Sequence, residues 1–182
     1  MTDAELAAID DLSQPCPLAT NGRRWELVTD GVMGGVSAGQ LRRETVAGRP
    51  ALRLTGTVRL ENNGGFVQMA LDLAPPGRLL DASAWEGIAL AVLGNGEGYG
   101  LHLRSDATTR PWQSWRQDFV ATPDWQLLRL PFAGFRPHRI DGPLDPARLR
   151  RLGLVAIGRA FAADLALGGL WLWRAPGAAA RG

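Results

Sequence analysis

Hydrophobic and polar residues alternate along most of the chain after residue 24. In residues 51–60 the apolar side chains fall at alternate positions, namely Leu52, Leu54, Val58 and Leu60. In residues 66–73 the same alternation selects Val67, Met69, Leu71 and Leu73. A period of two is typical of half-buried antiparallel strands, so both segments are predicted to be strands with these residues facing inward.

Eight more segments have strand-like composition and are separated by turn residues such as glycine, proline and asparagine. They are residues 25–29, 40–44, 87–93, 99–104, 113–120, 125–132, 152–157 and 165–173. Residues 87–93 are apolar on both faces, which favours a central strand. About ten short strands divided in this way predict an all-β fold, with a jelly-roll β-sandwich as its architecture.

The two ends of the chain differ from this pattern. Thr2 and Glu5 have the spacing of a capping box and precede a short apolar run, which predicts a short N-terminal helix within residues 1–12. The last residues are small and offer little surface to bury. We therefore expect an N-terminal segment (1–22), a jelly-roll domain (23–174) and a flexible tail (175–182).

Composition narrows the classes of partner. The 182 residues suit one domain, and a net charge of +2 gives little support for binding nucleic acid, so no nucleic-acid partner is predicted. Every basic residue is arginine, which excludes chemistry that needs a lysine. No apolar run reaches the roughly 18 residues of a membrane-spanning helix. An acidic N-terminus and a single cysteine, Cys16, favour a cytoplasmic protein.

The sequence gives little support for a catalytic site or a metal-binding site. The two histidines and one cysteine do not have zinc-ligand spacing, and no serine lies in a nucleophile elbow. We predict no catalytic residue, no cofactor and no metal ligand. The sequence leaves open one exception, a structural calcium ion bound by carboxylate and carbonyl oxygens of the loops. The glycine-rich stretch at residues 94–98 precedes a strand instead of a helix, so we expect a hairpin there and not a phosphate loop.

Two groups of side chains are candidates for a ligand surface. Among seven tryptophans, Trp112 and Trp115 lie beside Pro111 and are the best candidates for exposure and for stacking on a sugar. In the second group, Gln68, His102 and Arg104 are predicted by parity to face outward. Arg116 is included because it alternates with Trp115, so that one of these two shares the solvated face. These residues suit carboxylate, phosphate or peptide groups, or they form a solvated face with scattered ion pairs.

Two glycine-bearing strings beside strands are the most distinctive feature. The first, residues 30–37, contributes the candidate binding residues Asp30, Met33, Gly34, Gly35 and Ser37. The second, residues 61–66, contributes Asn62, Asn63, Gly64, Gly65 and Phe66. Glycine pairs permit positive φ and close backbone approach. The alternative is that Asp30, Asn62 and Asn63 only bind neighbouring backbone amides in turns.

With these strings in order, the chain resembles the complex I intermediate-associated protein family. The resemblance also uses residues 85–88 and 94–99, Gly56, Asp118-Phe119, residues 130–132, Phe135, Trp25 and Trp125. Asn95 and Ala70 replace residues that are usually acidic and arginine in the family. The resemblance implies a galactose-binding-like jelly roll and a non-enzymatic assembly role.

The sequence leaves open two functions from different classes. The first is a protein-interaction or assembly-factor module, for which the resemblance implies subunits of a respiratory complex as partners. The second is a carbohydrate-binding or small-ligand module of the jelly-roll type. An open aromatic shelf would favour sugar, whereas an apolar rim around the glycine strings would favour a protein partner. The oligomeric state is left open.

Overall fold

The computed structural model describes residues 4–177, which form two antiparallel β-sheets packed face to face. In chain order the strands are β1 (Glu5–Asp10), β2 (Glu26–Thr29), β3 (Ala38–Val46), β4 (Arg49–Val58), β5 (Phe66–Asp72), β6 (Gly87–Gly94), β7 (Gly98–Ser105), β8 (Ser114–Val120), β9 (Gln126–Pro131), β10 (Arg136–His138), β11 (Leu149–Ile157) and β12 (Phe161–Arg174). Short 3-10 helices span Asp30–Met33, Glu61–Asn63, Phe132–Gly134 and Pro146–Arg148. The predicted jelly-roll β-sandwich is confirmed.

Each sheet has six strands. Sheet I has the order β3-β4-β12-β6-β9, and β1 pairs with the C-terminal half of β12 beyond β4. Sheet II has the order β10-β8-β7-β11-β5-β2. The 14-residue strand β12 pairs with three strands, and a bulge between Leu167 and Gly169 allows its register with β6 to shift.

The core lies between the sheets and is built from the alternate apolar positions. Val67, Met69 and Leu71 of β5 are fully buried, as the alternation predicts. Leu101, Leu103 and Trp115 pack into the same core from the neighbouring strands of sheet II. The inward position predicted for Leu60 is wrong, because β4 ends at Val58 and Leu60 lies exposed in the following loop.

The predicted N-terminal helix is wrong within the described residues, because residues 5–10 form strand β1. This strand pairs with β12 in antiparallel register, so that Leu6 lies opposite Trp173 and Ala8 opposite Trp171. Ile9 is buried in the core. Partners more than 150 residues away in the chain therefore outweigh the weak local helix preference of this segment. The capping-box residue Thr2 and the part of the predicted tail from residue 178 lie outside the described residues.

Residues 94–98 do not form a hairpin, contrary to the sequence prediction. The strand before them belongs to sheet I and the strand after them to sheet II, so the segment crosses between sheets. Asn95 holds this crossing in place, since its amide donates to Ala162 O (2.9 Å) and its side-chain oxygen accepts from the Tyr99 hydroxyl (2.7 Å).

Five crossings share one end of the sandwich because all strand pairs are antiparallel. They join β2 to β3, β4 to β5, β6 to β7, β8 to β9 and β11 to β12. The last crossing reaches the second one directly, as Gly158 N donates to Gly65 O at 3.2 Å. In residues 4–177 there is no helix whose length and apolarity would suit a membrane crossing.

Candidate functional site

The two glycine strings meet around one buried carboxylate, that of Asp30. Its Oδ1 accepts from the Ser37 amide (3.0 Å), and its Oδ2 accepts from the Ser37 hydroxyl (2.5 Å). Oδ2 also accepts from the amides of Gly65 (2.6 Å) and Phe66 (3.3 Å), which lie in the other string. The Asp30 side chain therefore ties together two crossings that are about thirty residues apart in the chain. We call residues 30–37 and 59–66 the glycine corner.

Glycine is required at two places beside this carboxylate. A Cβ on Gly35 would lie 2.5 Å from Asp30 Oδ1, and a Cβ on Gly64 would lie 2.5 Å from Asp30 Oδ2. Both distances are far inside van der Waals contact, so no other residue fits without displacing Asp30. Gly34 and Gly65 have φ of 84° and 134°, which side chains with a Cβ adopt only with strain.

The remaining polar residues of the glycine corner support its turns. Asn62 donates from its amide to Gly34 O at 3.2 Å and joins the two strings a second time. Asn62 and Asn63 both have left-handed backbones, with φ of 58° and 57°. The Ser37 hydroxyl also accepts from the Arg59 amide at 2.9 Å. These contacts agree with the alternative interpretation, in which Asp30 and Asn62 bind the backbone of the corner itself.

The charge state of Asp30 follows from the same contacts. Burial alone would raise the pKa of this carboxyl, because the charged form loses its hydration. The hydrogen bonds from Ser37, Gly65 and Phe66 act in the opposite direction and outweigh burial, so the pKa lies below its usual value. Asp30 is therefore ionised at neutral pH, and its charge is stabilised by hydrogen-bond donors of the same chain.

The outer surface of the glycine corner combines exposed apolar side chains with the exposed polar residues Arg59, Glu61, Asn62 and Asn63. Four of its large hydrophobic side chains are exposed, and we call them the apolar rim: Val32 (75%), Met33 (58%), Val36 (41%) and Leu60 (49%). Val32 and Met33 lie in the 3-10 helix that begins at Asp30. Leu60 precedes the second 3-10 helix, where its Cδ2 lies 2.9 Å from the position of a Cβ on Gly65. Phe66 is half-buried at the start of β5.

A groove on the outer face of sheet II forms a second candidate site. It has a volume of about 450 Å³ and runs over β7, β8, β10 and the end of β11. Its polar side chains are His102, Arg116, Asp118, Arg136 and His138. Gly98 and Gly100 form its floor. We call it the sheet II groove.

Strand register explains why these polar side chains meet. His102 lies opposite Arg116, and Arg116 lies opposite Arg136, so the three share one row across β7, β8 and β10. Directly opposite residues have Cβ atoms about 5 Å apart. The floor is glycine because a Cβ on Gly100 would lie 3.0 Å from His102 Nε2 and 3.3 Å from Asp118 Oδ1.

Burial affects the titration of the groove residues. Burial, with the nearby Arg116 and His138, lowers the pKa of His102 to about 3, so its imidazole is neutral at neutral pH. Burial also lowers the pKa of Arg116, which Asp118 partly offsets. The pKa of His138 is lowered by burial and by Arg116 and Arg139.

Two other predicted residues of this face lie beside the groove. Gln68 lies on β5, where its Oε1 occupies the space that a Cβ on Gly153 would need. Arg104 follows His102 on the outer face of β7 and donates to Arg110 O at 3.2 Å, while its buried Nε finds no partner. The sequence pattern thus identified His102 and Arg116 but missed three residues of the groove. Asp118 could have been found from the sequence, because it lies two residues after Arg116 on the same strand and therefore on the same face. Arg136 and His138 could not, because only the pairing of β10 with β8 brings them to the groove.

The exposure predicted for the tryptophan pair is correct for Trp112 and wrong for Trp115. Trp112 is 51% exposed in the loop before β8. Trp115 is 2% exposed, since it faces the core with Phe119, and its indole donates to Gly142 O at 3.1 Å. That acceptor lies 27 residues further along the chain and is not visible in the local pattern.

Most other tryptophans are occupied by internal contacts. The guanidinium carbons of Arg174, Arg49 and Arg129 lie over three of them, at 4.7 Å from Trp85, 5.2 Å from Trp125 and 5.7 Å from Trp173. Trp25 is buried, and its indole donates to Asp10 Oδ2 at 2.7 Å. Trp171 is half-buried with its ring against Gly169. Within residues 4–177, Trp112 is thus the one tryptophan that is largely open to solvent.

Metal-binding side chains are not clustered in the described part of the chain. No group of three or more histidine, cysteine, aspartate or glutamate residues is placed to hold an ion there. Cys16 is exposed and unbonded.

A family model described as complex I intermediate-associated protein 30 (CIA30) matches residues 15–167. The chain belongs to the CIA30 family. The matched region includes both strings of the glycine corner and all of sheet II, and in sheet I it leaves out β1 and the second half of β12. The comparison with curated proteins finds no significant match.

Solved structures with a similar fold include two carbohydrate-binding modules and an agarase. The family 11 carbohydrate-binding module of cellulosomal cellulase Lic26A-Cel5E from Clostridium thermocellum has 13% identity and a TM-score of 0.71, with 94% of this chain and 95% of that chain covered. The family 30 module of cellulase Cel9D-Cel44B from the same organism has 16% identity and a TM-score of 0.56, with 97% and 93% covered. The agarase AgWH50C matches at 12% identity and a TM-score of 0.62 over 94% of this chain and 25% of that chain. At such identities the similarity describes the CIA30 fold alone.

Proposed function

We propose that this chain is a non-enzymatic protein-interaction module of the CIA30 family, that its partner is a subunit or subassembly of respiratory complex I, and that the apolar rim is its contact surface. The observation that carries the proposal is the exposure of Val32, Met33, Val36 and Leu60 on a rigid corner. The description of the matching family supplies the class of partner.

The construction of the glycine corner supports a docking role. Asp30 binds donors from both strings, and Gly35 and Gly64 lie so close to it that a Cβ would not fit. The buried Asp30 carboxylate is satisfied internally, while the side chains of the apolar rim face water. A rigid apolar surface loses little conformational entropy on binding, which favours association with a protein. Methionine is also enriched in the cores of protein interfaces.

The test compares two variants in which an exposed hydrophobic residue is replaced by aspartate. Met33→Asp places a charge in the apolar rim, whereas Leu127→Asp places one at a 50% exposed leucine on the edge strand β9. Each tagged full-length chain is expressed in its native host, and recovered proteins are identified by quantitative mass spectrometry. We expect complex I subunits with the wild type and with Leu127→Asp, and at least tenfold fewer with Met33→Asp. Calorimetry with the purified subunit then measures the direct interaction.

Two results would contradict the proposal. One is the absence of any complex I subunit above the untagged control. The other is equal recovery of such subunits by Met33→Asp and Leu127→Asp, which would place the contact elsewhere. Thermal unfolding of both variants checks the fold, and we expect melting temperatures near that of the wild type because both positions are exposed.

Carbohydrate binding is the alternative function, and the fold similarity to carbohydrate-binding modules favours it. Sugars stack on open aromatic faces, but three of the tryptophans carry a guanidinium on one face and two are buried. Trp112 is the candidate that remains open. A glycan array and calorimetric titrations, each with and without calcium, test this function, and binding abolished by Trp112→Ala would support it over the assembly role.

A further inference from the structure

The sheet II groove contains cations that the fold does not neutralise. Six arginines elsewhere form ion pairs within 4.0 Å: Arg53, Arg59, Arg148, Arg151, Arg159 and Arg174. Among the described residues, Arg116 and Arg136 have no such partner. Arg116 Nε donates to Ser114 Oγ at 2.9 Å, and its terminal nitrogens bond to none of the residues described. Two guanidinium groups in the groove are therefore available to a ligand.

Positive charge exceeds negative charge around the groove. Arg116 and Arg136 occupy directly opposite positions on β8 and β10, and Arg139 is a further cation that acts on Arg116. Asp118 is the acidic residue of the groove and partly offsets this charge, but it forms no ion pair within 4.0 Å with Arg116 or Arg136. A bound oxyanion would neutralise the excess charge and accept hydrogen bonds from both arginines.

The shape of the groove indicates a ligand larger than a bare ion. Its volume of about 450 Å³ falls within the range of small-molecule sites, which is about 300–1,000 Å³. The floor of Gly98 and Gly100 keeps it open, and the neutral His102, together with Asp118 and His138, offers further hydrogen-bonding groups beside the cations. These groups suit the hydroxyls of a polar organic molecule.

We propose that the sheet II groove binds a small organic anion, in which a carboxylate or phosphate group lies between Arg116 and Arg136 and a polyhydroxylated part lies over Gly100. This site is separate from the apolar rim and does not depend on the proposed assembly role. Arginine is suited to the ligand because its planar group pairs with carboxylate or phosphate through two parallel hydrogen bonds.

Calorimetric titration of the purified full chain tests the proposal. The probes are inorganic phosphate, glucose 6-phosphate, glucuronate and, as a neutral reference, glucose. We expect glucose 6-phosphate or glucuronate to bind at least tenfold more tightly than glucose, and the stronger of the two identifies phosphate or carboxylate as the recognised group. Binding should weaken as salt is raised from 20 to 150 mM, because the charges are partly exposed.

Three variants assign the binding to the groove. Arg116→Gln and Arg136→Gln should each weaken it at least tenfold, whereas Arg78→Gln removes the same charge from an exposed loop and should leave it unchanged. The proposal is overturned if none of the anionic probes binds, if glucose binds as tightly as they do, or if Arg78→Gln weakens binding as much as the groove variants. Arg136 is exposed, so its variant remains informative even if Arg116→Gln fails to fold.

Discussion

The glycine corner and the sheet II groove use charged residues in opposite ways. In the corner, the Asp30 carboxylate accepts four hydrogen bonds from its own chain and is fully buried, and the apolar rim lies on the surface outside it. In the groove, Arg116 and Arg136 have no acidic partner within the described residues, and the cavity they line is open to solvent. The charge of the corner stabilises the fold, whereas the charge of the groove is available to other molecules.

This difference gives a physical criterion for separating structural from functional residues. A polar group whose hydrogen bonds are all made internally contributes to stability, and its replacement should lower stability. A partly buried charge without a partner costs stability, and its retention is better explained by a ligand. By this criterion Asp30 is structural, the apolar rim and the groove arginines are candidates for function, and the following predictions test the assignment.

The largest effect is expected from Asp30→Ala. This change leaves the amides of Ser37, Gly65 and Phe66 without their acceptor and removes the link between the two strings. We expect the free energy of unfolding to fall by about 4 kcal/mol, measured by urea denaturation. Asp81→Ala is the control, because Asp81 caps an exposed turn at Ser83, and it should lower the free energy of unfolding much less than Asp30→Ala. An equal fall in the free energy of unfolding in the two variants would contradict the structural role of Asp30.

Valine at the two left-handed glycines should have the next largest effect. Gly65→Val combines backbone strain with a contact to Leu60, so a loss of about 3 kcal/mol is expected. Gly34→Val strains the backbone in the same way, but no atom lies near the new side chain, so the free energy of unfolding is expected to fall by about 1.5 kcal/mol. For a chain of this size these losses lower the melting temperature by several degrees. Gly98→Val lies at a position without positive φ and with no close neighbour, and an unaltered melting temperature is expected there.

The groove should make stability depend on pH through His102. Its pKa is about 3 in the folded protein against 6.5 for the free side chain, so the unfolded chain binds the proton first as pH falls. Stability is therefore lost on acidification, by about 2 kcal/mol from this residue between pH 7 and pH 5. His138 acts in the same direction. Urea denaturation of wild type and His102→Gln at both pH values measures the contribution, and identical pH dependence in the two proteins would refute it.

The smallest effect is expected from Arg116→Gln in the absence of ligand. This residue has no ion pair to lose, and its removal relieves repulsion from Arg139, so a change below about 0.5 kcal/mol is expected. Arg151→Gln is the comparison, because Arg151 pairs with Glu26 (2.9 Å) and Asp72 (2.7 Å), and it should cost about 1 kcal/mol. A larger loss in Arg116→Gln than in Arg151→Gln, measured by thermal unfolding, would show that the groove arginine is structural.

Local patterns in the sequence predict the sandwich because inward and outward positions alternate. The period of two identified β5 and its buried residues Val67, Met69 and Leu71, as well as the outward position of His102. It left open which of Trp115 and Arg116 faces outward. The two glycine strings were identified as special. Their meeting around Asp30 could not be read from the sequence, because it depends on two crossings at the same end of the sandwich.

The errors occur where long-range pairing outweighs local preference. Residues 5–10 form a strand because β12 supplies hydrogen bonds to their backbone, although their composition suits a helix equally well. Trp115 turns inward because Gly142 O accepts its indole proton across a loop. The groove was half predicted for the same reason, since Arg136 and His138 enter it only through the register of β10 on β8.

The position of β12 has a consequence for the order of synthesis. This strand runs from residue 161 to residue 174 and is the shared neighbour of β1, β4 and β6 in sheet I. While the ribosome is still producing β12, strand β1 has no partner, and sheet I lacks its central strand. Folding of sheet I therefore waits until this late strand has left the ribosome, and until then apolar strands remain available to chaperones or to aggregation.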